Sequence, residues 1–424
     1  FIGSNHIRFL GLKKPVRLTS SLPLSYILSK RSIFLNTPNY ICLSWGIPLE
    51  APLESTTEEF LRKTKEYWQD FVNEAAIANF RQKHVIRSIL ALKLHQFEDT
   101  GAIIASSTSS LPEHPGQGRN WDYRYCWLRD SYYTLMALNN IGHFYELQKY
   151  AFYIQNLITR EDELNFRPVY TLVGDINKLP EETLNLKGYM GNQPVRRGNQ
   201  AYTHSQNDVY GQILVSLLPL YTDERFAEKD KSLGIRLTSL LLDKIEEKID
   251  EPDAGLWEFR ETNQIHCYSS LFHWAGANAA MKIANYFDHK AIAKKAQKLI
   301  SRAEELIEAC YDEEAQVYRQ AIGSQNLDAS LLQLITMKYL DPDSDKAKNH
   351  LKKLEEELMT DSGLFFRYKH EDDFGEPKSA FLVCAFWYVD ALACVGRLKD
   401  AQQTFDQLVN YGNHLGLLSE DVDP

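Results

Sequence analysis

Apolar residues recur at the spacing of an α-helix over most of the chain, from Thr56 onward. Residues at positions i, i+3, i+4 and i+7 share one helix face, so this pattern predicts helices that bury one side. Ser55-Thr56-Thr57-Glu58 has the arrangement of a capping box and predicts the start of the first helix. Further helices are predicted at residues 76–97, 127–141, 144–158, 201–220, 226–248, 266–286, 289–310, 327–339, 344–359, 379–396 and 398–411.

The first 50 residues have a different pattern, which favours strands. Val16-Arg17-Leu18-Thr19, Leu24–Leu28 and Tyr40–Trp45 carry β-forming residues between Pro, Ser and Asn breaks. So few strands do not make a stable sheet domain alone. Residues 1–50 are therefore interpreted as the end of a larger β domain, and residues 51–75 as a linker helix.

The gaps between the predicted helices alternate between short turns and longer loops. The longer loops, rich in Arg, Trp, Glu and Gly, cover residues 98–126, 160–199, 249–265, 311–326, 360–378 and 412–424. Paired helices with long loops at every second connection indicate a mainly α fold, a toroid of helical hairpins with its functional loops at one end. Residues 76–424 are predicted to form this toroid.

Composition narrows the function classes. The net charge of −10 argues against nucleic-acid and anionic-membrane partners, which require basic surface. No apolar run approaches the roughly 18 residues of a membrane span. The 6 cysteines and 12 histidines are dispersed without metal-binding spacing, so we expect free thiols in a reducing compartment, no metal and no cofactor. No signal peptide is visible, and the expected location is cytoplasmic; the chain opens with Phe1, so its natural start is expected to be missing.

The segment Gly118–Asp130 is the strongest candidate for a functional site. It packs two aspartates, three arginines and four large aromatic residues just before a helix. Arginine and aspartate are rarely buried unless paired. In a sugar site, by contrast, rings cover the apolar faces of a pyranose while Asp and Arg exchange hydrogen bonds with its hydroxyls. A salt-bridged helix start with aromatic packing is the alternative.

Two loop glutamates are candidates for acid–base chemistry. Glu258 lies between Trp257 and Phe259, and apolar neighbours predict a raised pKa suited to proton donation. Glu420 precedes Asp421 in a hydrophilic loop and is predicted to stay ionised and to activate a water. A proton donor and a base are what glycoside hydrolysis requires. The alternative is a turn residue paired with Arg260 and a solvated acidic tail.

Two other loops leave their roles open. Arg196 and Arg197, beside Gly198 and Asn199, suit either hydroxyl contacts or a helix cap. Phe366-Arg367-Tyr368, followed by Glu371-Asp372-Asp373, is more typical of a surface ion pair than of a ligand site.

From about residue 80 to residue 424, the chain resembles glycoside hydrolase family 15, which includes bacterial glucoamylases, glucodextranases and trehalases. The segments that carry the resemblance are Arg119–Asp130, Pro194–Asn199, Gly255–Glu258 and Gly416–Glu420. The resemblance implies an (α/α)6 barrel, preceded in bacterial members by a β-sandwich domain. Residues 1–50 would then be the C-terminal part of that sandwich. A twelfth barrel helix is expected beyond Pro424.

The resemblance also implies roles for single residues. Glu258 is similar to the general acid and Glu420 to the general base of an inverting hydrolase, whose carboxyl groups are expected roughly 6.5–9.5 Å apart. Substrate binding is implied for Tyr123, Trp127, Arg129, Asp130, Trp257 and Arg367. Phe259 departs from the family pattern, because many fungal glucoamylases carry a second Glu there. Contacts beyond the first subsite are therefore expected to differ.

The expected function is an exo-acting hydrolase that releases β-D-glucose from the non-reducing ends of α-glucans. The predicted partner is an oligosaccharide or disaccharide, and the oligomeric state is open. A trehalase of the same family is the nearest alternative. A catalytically silent glycan-binding barrel is a rival from another class, and a phosphorylase is disfavoured because Glu420 is retained.

Overall fold

A computed structural model describes residues 5–49, 51–159, 165–177, 179–226 and 231–424. The chain divides into two compact units, Phe1–Ala75 and Ala76–Pro424. The second unit carries the long loops in which the sequence places the candidate chemistry.

The described part of the first unit contains a three-stranded antiparallel sheet and two helices. The strands β1 (His6–Phe9), β2 (Val16–Ser20) and β3 (Ile41–Trp45) lie in the order β1-β2-β3. The predicted strand at Leu24–Leu28 is wrong, because these residues form a short helix, α1, after Pro23. A run of apolar residues this short does not distinguish a strand from a helical turn.

Helix α2 spans Leu53–Asn73, in the region predicted to be a linker helix. Its predicted capping box is also wrong, because the helix begins before Ser55 and Pro52 occupies the N-cap position without a side-chain hydrogen bond. Proline is favoured at helix starts because its missing N–H is not needed there. The assignment of residues 1–50 to a β-sandwich stays a prediction.

The second unit is helical, and its described part contains a helix in each predicted region. These helices are α3 (Gln82–His95), α4 (Leu128–Asn140), α5 (Tyr145–Ile158), α6 (Asp208–Thr222), α7 (Lys231–Lys248), α8 (Cys267–Tyr286), α9 (Lys290–Glu308), α10 (Gln333–Thr336), α11 (Asp345–Leu358), α12 (Leu382–Cys394) and α13 (Leu398–Leu408). Residues 227–230 of the predicted helix 226–248 lie outside the described residues. The prediction of a mainly α fold is confirmed.

Burial separates the helices into two layers. Helix α8 is buried along nearly its whole surface, as an inner helix must be, whereas α9 buries one face. The buried residues of α9 follow a 3- and 4-residue spacing: Ile292, Ala296, Leu299, Ile300, Ala303, Leu306 and Ile307. Inner helices α6 and α8 approach closely at glycines, since a Cβ on Gly276 would lie 2.5 Å from the Cα of Gly211. Alternation of inner and outer helices is consistent with the (α/α)6 fold.

Short antiparallel strand pairs organise the loops. They are β4 (Ser109–Pro112) with β5 (Asn120–Asp122), β6 (Cys126–Trp127) with β7 (Val169–Tyr170), β8 (Glu182–Leu184) with β9 (Val195–Arg197), β10 (Tyr311–Asp312) with β11 (Val317–Tyr318), and β12 (Ala380–Phe381) with β13 (Asp421–Val422). Strands β6 and β12 run directly into α4 and α12. These pairs therefore fix where the loop side chains lie relative to the helices.

Candidate active site

One cavity of about 210 Å³ collects the candidate residues from loops that are far apart in sequence. Every site residue proposed from the sequence lines it: Tyr123, Trp127, Arg129, Asp130, Trp257, Glu258, Arg367 and Glu420. The cavity walls combine rings, arginines and carboxylates, the mixture that suits a sugar with apolar ring faces and polar hydroxyls.

The junction of β6 and α4 builds the floor of this cavity. Trp127 ends the strand, and Arg129 and Asp130 lie in the first turn of the helix. Trp127 is 2% exposed and Arg129 is 8% exposed, so both side chains are fixed by packing. Burial raises the pKa of Asp130 to about 6, with Glu258 and Asp208 adding to the rise and Arg129 opposing it.

The loop that carries Glu258 is held in an unusual conformation. Glu258 has a φ of 61°, in the left-handed region that non-glycine residues rarely adopt. The turn is closed by the Glu258 backbone N–H, which donates to the Gly255 carbonyl at 3.2 Å. Gly255 is required there, because its φ is 66° and an added Cβ would lie 2.7 Å from His266 Nε2.

Buried Asp253 supports the same loop from below. Its Oδ1 accepts the Gly255 N–H at 3.2 Å. Its Oδ2 accepts the Asn207 N–H at 2.7 Å and the Ser269 hydroxyl at 2.8 Å. These bonds connect the Glu258 loop to the segment before α6 and to α8, and so hold a strained backbone in place.

Glu258 is anchored through one carboxylate oxygen. Its Oε1 accepts hydrogen bonds from Trp127 Nε1 at 2.8 Å, Arg129 Nη2 at 3.1 Å and Gln206 Nε2 at 3.1 Å. Burial by itself raises the pKa of Glu258, but the charges of Arg129 and His204 and these hydrogen bonds outweigh it, so the pKa lies below its ordinary value. The predicted raised pKa is therefore wrong for the unliganded protein.

Glu420 is brought to the cavity by the pairing of β12 with β13. Its backbone carbonyl accepts the Leu382 N–H at 2.9 Å, at the start of α12. Glu420 is an exposed residue that lines the cavity. Desolvation and the charges of Asp421 and Glu113 raise its pKa well above the usual range, against opposition from Arg367. This raised pKa is opposite in direction to the readily ionised Glu420 expected from the sequence.

Glu113 is a further cavity carboxylate that the sequence did not reveal. Its Oε2 accepts Arg367 Nη2 at 2.8 Å, and its Oε1 accepts Trp121 Nε1 at 2.7 Å. The side chains of Glu113 and Arg367 are 5% and 11% exposed, so this ion pair is buried. Arg367 therefore lies at the cavity and not in a surface ion pair, which corrects the interpretation favoured for its segment.

Asp372, in the acidic run that follows Arg367, is also engaged inside the protein. Arg119 donates to Asp372 through Nη1 at 2.9 Å and Nη2 at 2.5 Å. The two side chains are only 4% and 5% exposed, so this ion pair is buried. The Tyr368 hydroxyl also hydrogen-bonds Asp372. This bidentate pair links the segment before β5 to the loop before β12.

The loop at residues 193–200 caps a helical turn, which is one of the two roles that the sequence left open for it, but the capping residue is Asn199 and not an arginine. Arg196 lies in β9, donates to Glu181 at 2.9 Å, and donates to the carbonyls of Gly118 and Asn120 at 2.9 Å. It therefore braces the β5 segment beneath the site. Asn199 caps the following 3-10 turn by accepting the Ala201 N–H at 2.9 Å.

Gln206 and His204 are the other functional candidates that sequence reasoning missed. Gln206 bonds both Glu258 and Arg129, whose Nη1 donates to its Oε1 at 2.6 Å. His204 lines the cavity. Both lie just before α6, in a region predicted to be helical from residue 201, and no local motif marks them as facing the site.

The described part of the chain contains no group of three or more His, Cys, Asp or Glu side chains arranged to hold a metal ion. Within the same residues, no helix combines the length and apolar character needed to cross a membrane.

A cavity lined by carboxylates, arginines and rings on a helical scaffold is typical of glycoside hydrolases. Sequence similarity to known proteins places the chain in that class. The model of the family "Glycosyl hydrolases family 15" matches residues 79–423. The chain belongs to this family.

Sequence relatives include trehalases from two archaea. The Thermoplasma volcanium trehalase is 34% identical over 371 residues, which cover 86% of this chain and 58% of that protein. The Thermoplasma acidophilum trehalase is 32% identical over 432 residues, covering 100% of this chain and 72% of that protein. The chain thus spans little more than half the length of the first relative.

The fold also resembles solved structures. A bacterial glucoamylase complexed with acarbose superposes with a TM-score of 0.69 and 18% sequence identity, over 96% of this chain and 67% of that chain. At this identity, the likeness supports the helical fold.

Proposed function

We propose that this chain is an inverting exo-acting α-glucosidic hydrolase, in which Glu258 is the general acid and Glu420 the general base. The observation that carries the proposal is that both glutamates line one cavity together with Arg129, Asp130 and Arg367. An inverting hydrolase needs two carboxyl groups on opposite sides of the scissile bond, with room for a water.

The reaction is a single displacement. Glu258 gives its proton to the glycosidic oxygen while the bond from that oxygen to the anomeric carbon breaks. A water attacks the same carbon from the opposite face, and Glu420 accepts the proton that the water loses. One water is consumed, the configuration at the attacked carbon inverts, and proton exchange with solvent restores both carboxyl groups.

The anchoring of Glu258 supports the acid role. Trp127, Arg129 and Gln206 all contact Oε1, and within the described part of the chain no donor contacts Oε2. Oε2 is therefore the oxygen available to carry the transferred proton. A hydroxyl of the bound sugar that accepts a hydrogen bond from Arg129 would weaken the Arg129–Glu258 pair, and this would raise the pKa of Glu258 on binding.

The substrate proposal has two branches that share this chemistry. Relatives named trehalase, at 34% and 32% identity, favour trehalose, in which the leaving group is a second glucose. The α-glucan substrate expected from the sequence is supported by the fold it shares with a bacterial glucoamylase. We favour trehalose because the sequence likeness to the trehalases is the higher one.

Anomer analysis tests the proposal. The chain is incubated separately with trehalose, maltose and isomaltose, and the anomeric protons are followed by NMR before mutarotation. Trehalose is expected to give β- and α-glucose in equal amounts, because only the attacked carbon inverts. Retention of configuration, or binding without release of glucose from any of the three sugars, would refute the proposed function.

The pKa directions predict an unusual pH response. The productive form needs Glu258 protonated and Glu420 ionised, but in the free protein the pKa of Glu258 is lowered and that of Glu420 is raised. Between these two pKa values the productive form is a constant minority. The acidic limb of kcat/KM then follows Glu258, and the alkaline limb follows Glu420.

The Asp421→Asn variant tests whether the pKa of Glu258 lies below that of Glu420 in the free protein. Removing the Asp421 charge lowers the pKa of Glu420, so the alkaline limb should move to lower pH and the kcat/KM plateau should rise as the gap narrows. The measurement is kcat/KM against pH, with Asp423→Asn as an exposed control. A shifted acidic limb with an unchanged plateau would mean that the two pKa values have the opposite order.

A further inference from the structure

The outer part of the cavity carries a second group of rings and charges, separate from the floor. This outer cluster consists of Trp121, Arg260, Asp373 and Phe374, all of which line the cavity. Arg260 lies two residues after Glu258 on the same loop. Its side chain is 21% exposed, and Asp373 is exposed, whereas Trp127 on the floor is 2% exposed. The outer cluster therefore lies nearer the solvent than the floor does.

Arg260 is held rigidly within the outer cluster. Its guanidinium carbon lies 4.9 Å from the centroid of the Trp121 ring and 5.0 Å from that of Phe374, and the two rings meet edge to face at 5.1 Å. Its backbone N–H donates to Asp373 Oδ2 at 2.5 Å. Stacking against two rings fixes the plane of the guanidinium, so less conformational entropy is lost when it donates a hydrogen bond.

Within the described part of the chain, only some of the Arg260 donors have a hydrogen-bond partner. Nη1 donates to Gln200 Oε1 at 2.9 Å, and Nη2 lies 3.4 Å from Glu181 Oε2, which is a long contact. A guanidinium has five N–H groups. Donors therefore remain for a ligand at the cavity.

The position of the outer cluster relative to the floor indicates on which side of the scissile bond the cluster lies. Glu258 is bonded to Trp127 and Arg129 on the floor, where an exo-acting enzyme holds the terminal glucose. The acid must face the glycosidic oxygen, which joins this glucose to the leaving group. The leaving group then extends away from the floor, and Arg260, two residues after the acid, lines the cavity outside that floor.

We propose that Arg260 binds the leaving sugar and is a specificity-determining residue for it. The inference rests on the proposed function. The outer cluster repeats the residue types of the floor, with rings for a pyranose face, a guanidinium to donate and a carboxylate to accept. Such a set suits one neutral sugar ring, as in a disaccharide of two glucose units.

Leaving groups of different size provide the test. The Arg260→Gln and Arg260→Lys variants are assayed on trehalose, on maltose and on α-D-glucosyl fluoride, whose fluoride cannot contact a sugar subsite. We expect kcat/KM of Arg260→Gln for the better disaccharide to fall by about 10- to 100-fold, the effect of losing hydrogen bonds from a charged group. Hydrolysis of the fluoride should change by less than about twofold. Arg260→Lys keeps the charge but loses the planar fork, so it should fall between Gln and wild type.

The fluoride reaction also reports whether each variant is folded. Arg197→Gln is the matched control, because Arg197 is exposed and pairs with Glu182 at 2.6 Å without lining the cavity. Equal losses on fluoride and disaccharide would overturn the inference by showing that Arg260 acts through Glu258 or the fold. Unchanged disaccharide hydrolysis would overturn it as well. If wild-type protein hydrolyses neither kind of substrate, the proposed function itself fails, and the inference fails with it.

Discussion

The Glu420→Gln variant is expected to lose about 10²–10⁴-fold in kcat on every substrate, including α-D-glucosyl fluoride. An amide of the same shape cannot accept a proton from the attacking water. Changing the leaving group does not help, because water must be activated whether a sugar or a fluoride departs. Steady-state rates of glucose release from the preferred disaccharide and from the fluoride measure both effects.

The matched control for this variant is Glu371→Gln, since Glu371 is exposed and does not line the cavity. It should retain wild-type rates on both substrates. If Glu420→Gln hydrolyses the fluoride at nearly the wild-type rate, Glu420 is not the base.

For Glu258→Gln we expect a loss of about 10²–10⁴-fold in kcat on the disaccharide and a much smaller loss on α-D-glucosyl fluoride. A sugar alkoxide is a poor leaving group and needs a proton from the acid, whereas fluoride departs with little protonation. The ratio of the two losses therefore identifies the general acid more sharply than either rate alone.

Glu261→Gln is the control for the same loop, because Glu261 is exposed and lies outside the cavity lining. Losses of equal size on both substrates would remove Glu258 from the acid role. They would instead fit a residue that holds Arg129 and Trp127 in place through the contacts at Oε1. Together, the two glutamate variants distinguish the proposed assignment, with Glu258 as the acid and Glu420 as the base, from the reverse assignment.

In the free protein the pKa of Glu258 is the lower one and the pKa of Glu420 is the higher one. The reaction needs the opposite order, with Glu258 protonated and Glu420 ionised. Arg129 neutralises Glu258, while Asp421 and Glu113 repel an ionised Glu420. A sugar that engages Arg129 would release Glu258 from its counter-ion. Substrate binding would then move the protonation state toward the productive one, which couples recognition of the terminal glucose to readiness of the acid.

The helices could be predicted from the sequence because each needs only a local pattern. Helix α9 buries residues at a strict helical spacing, which is visible without any knowledge of its neighbours. Leu24–Leu28 shows the limit, since its composition fits a strand and it forms a helix. The candidate residues of the Gly118–Asp130 segment were found because their types are unusual together, and all of those proposed for the site line the cavity.

Partners that are distant in sequence were beyond local reasoning. Glu113 contacts Arg367 across 254 positions, and Gln206 contacts Glu258 across 52. The rings next to Glu258 in the sequence predicted a raised pKa for its carboxyl group. In the folded protein, Arg129 and Gln206 lie close to this group and lower its pKa.

The sequence alone determined the helical class of this protein, the positions of the helices in its second unit and the residue types of its site, because periodicity and composition are properties of short segments. Only the tertiary structure decided which loops meet at the cavity, which charges face each glutamate and where Arg260 lies. The physical reason is that electrostatic and hydrogen-bond interactions depend on distance in space, and the folded loops set that distance.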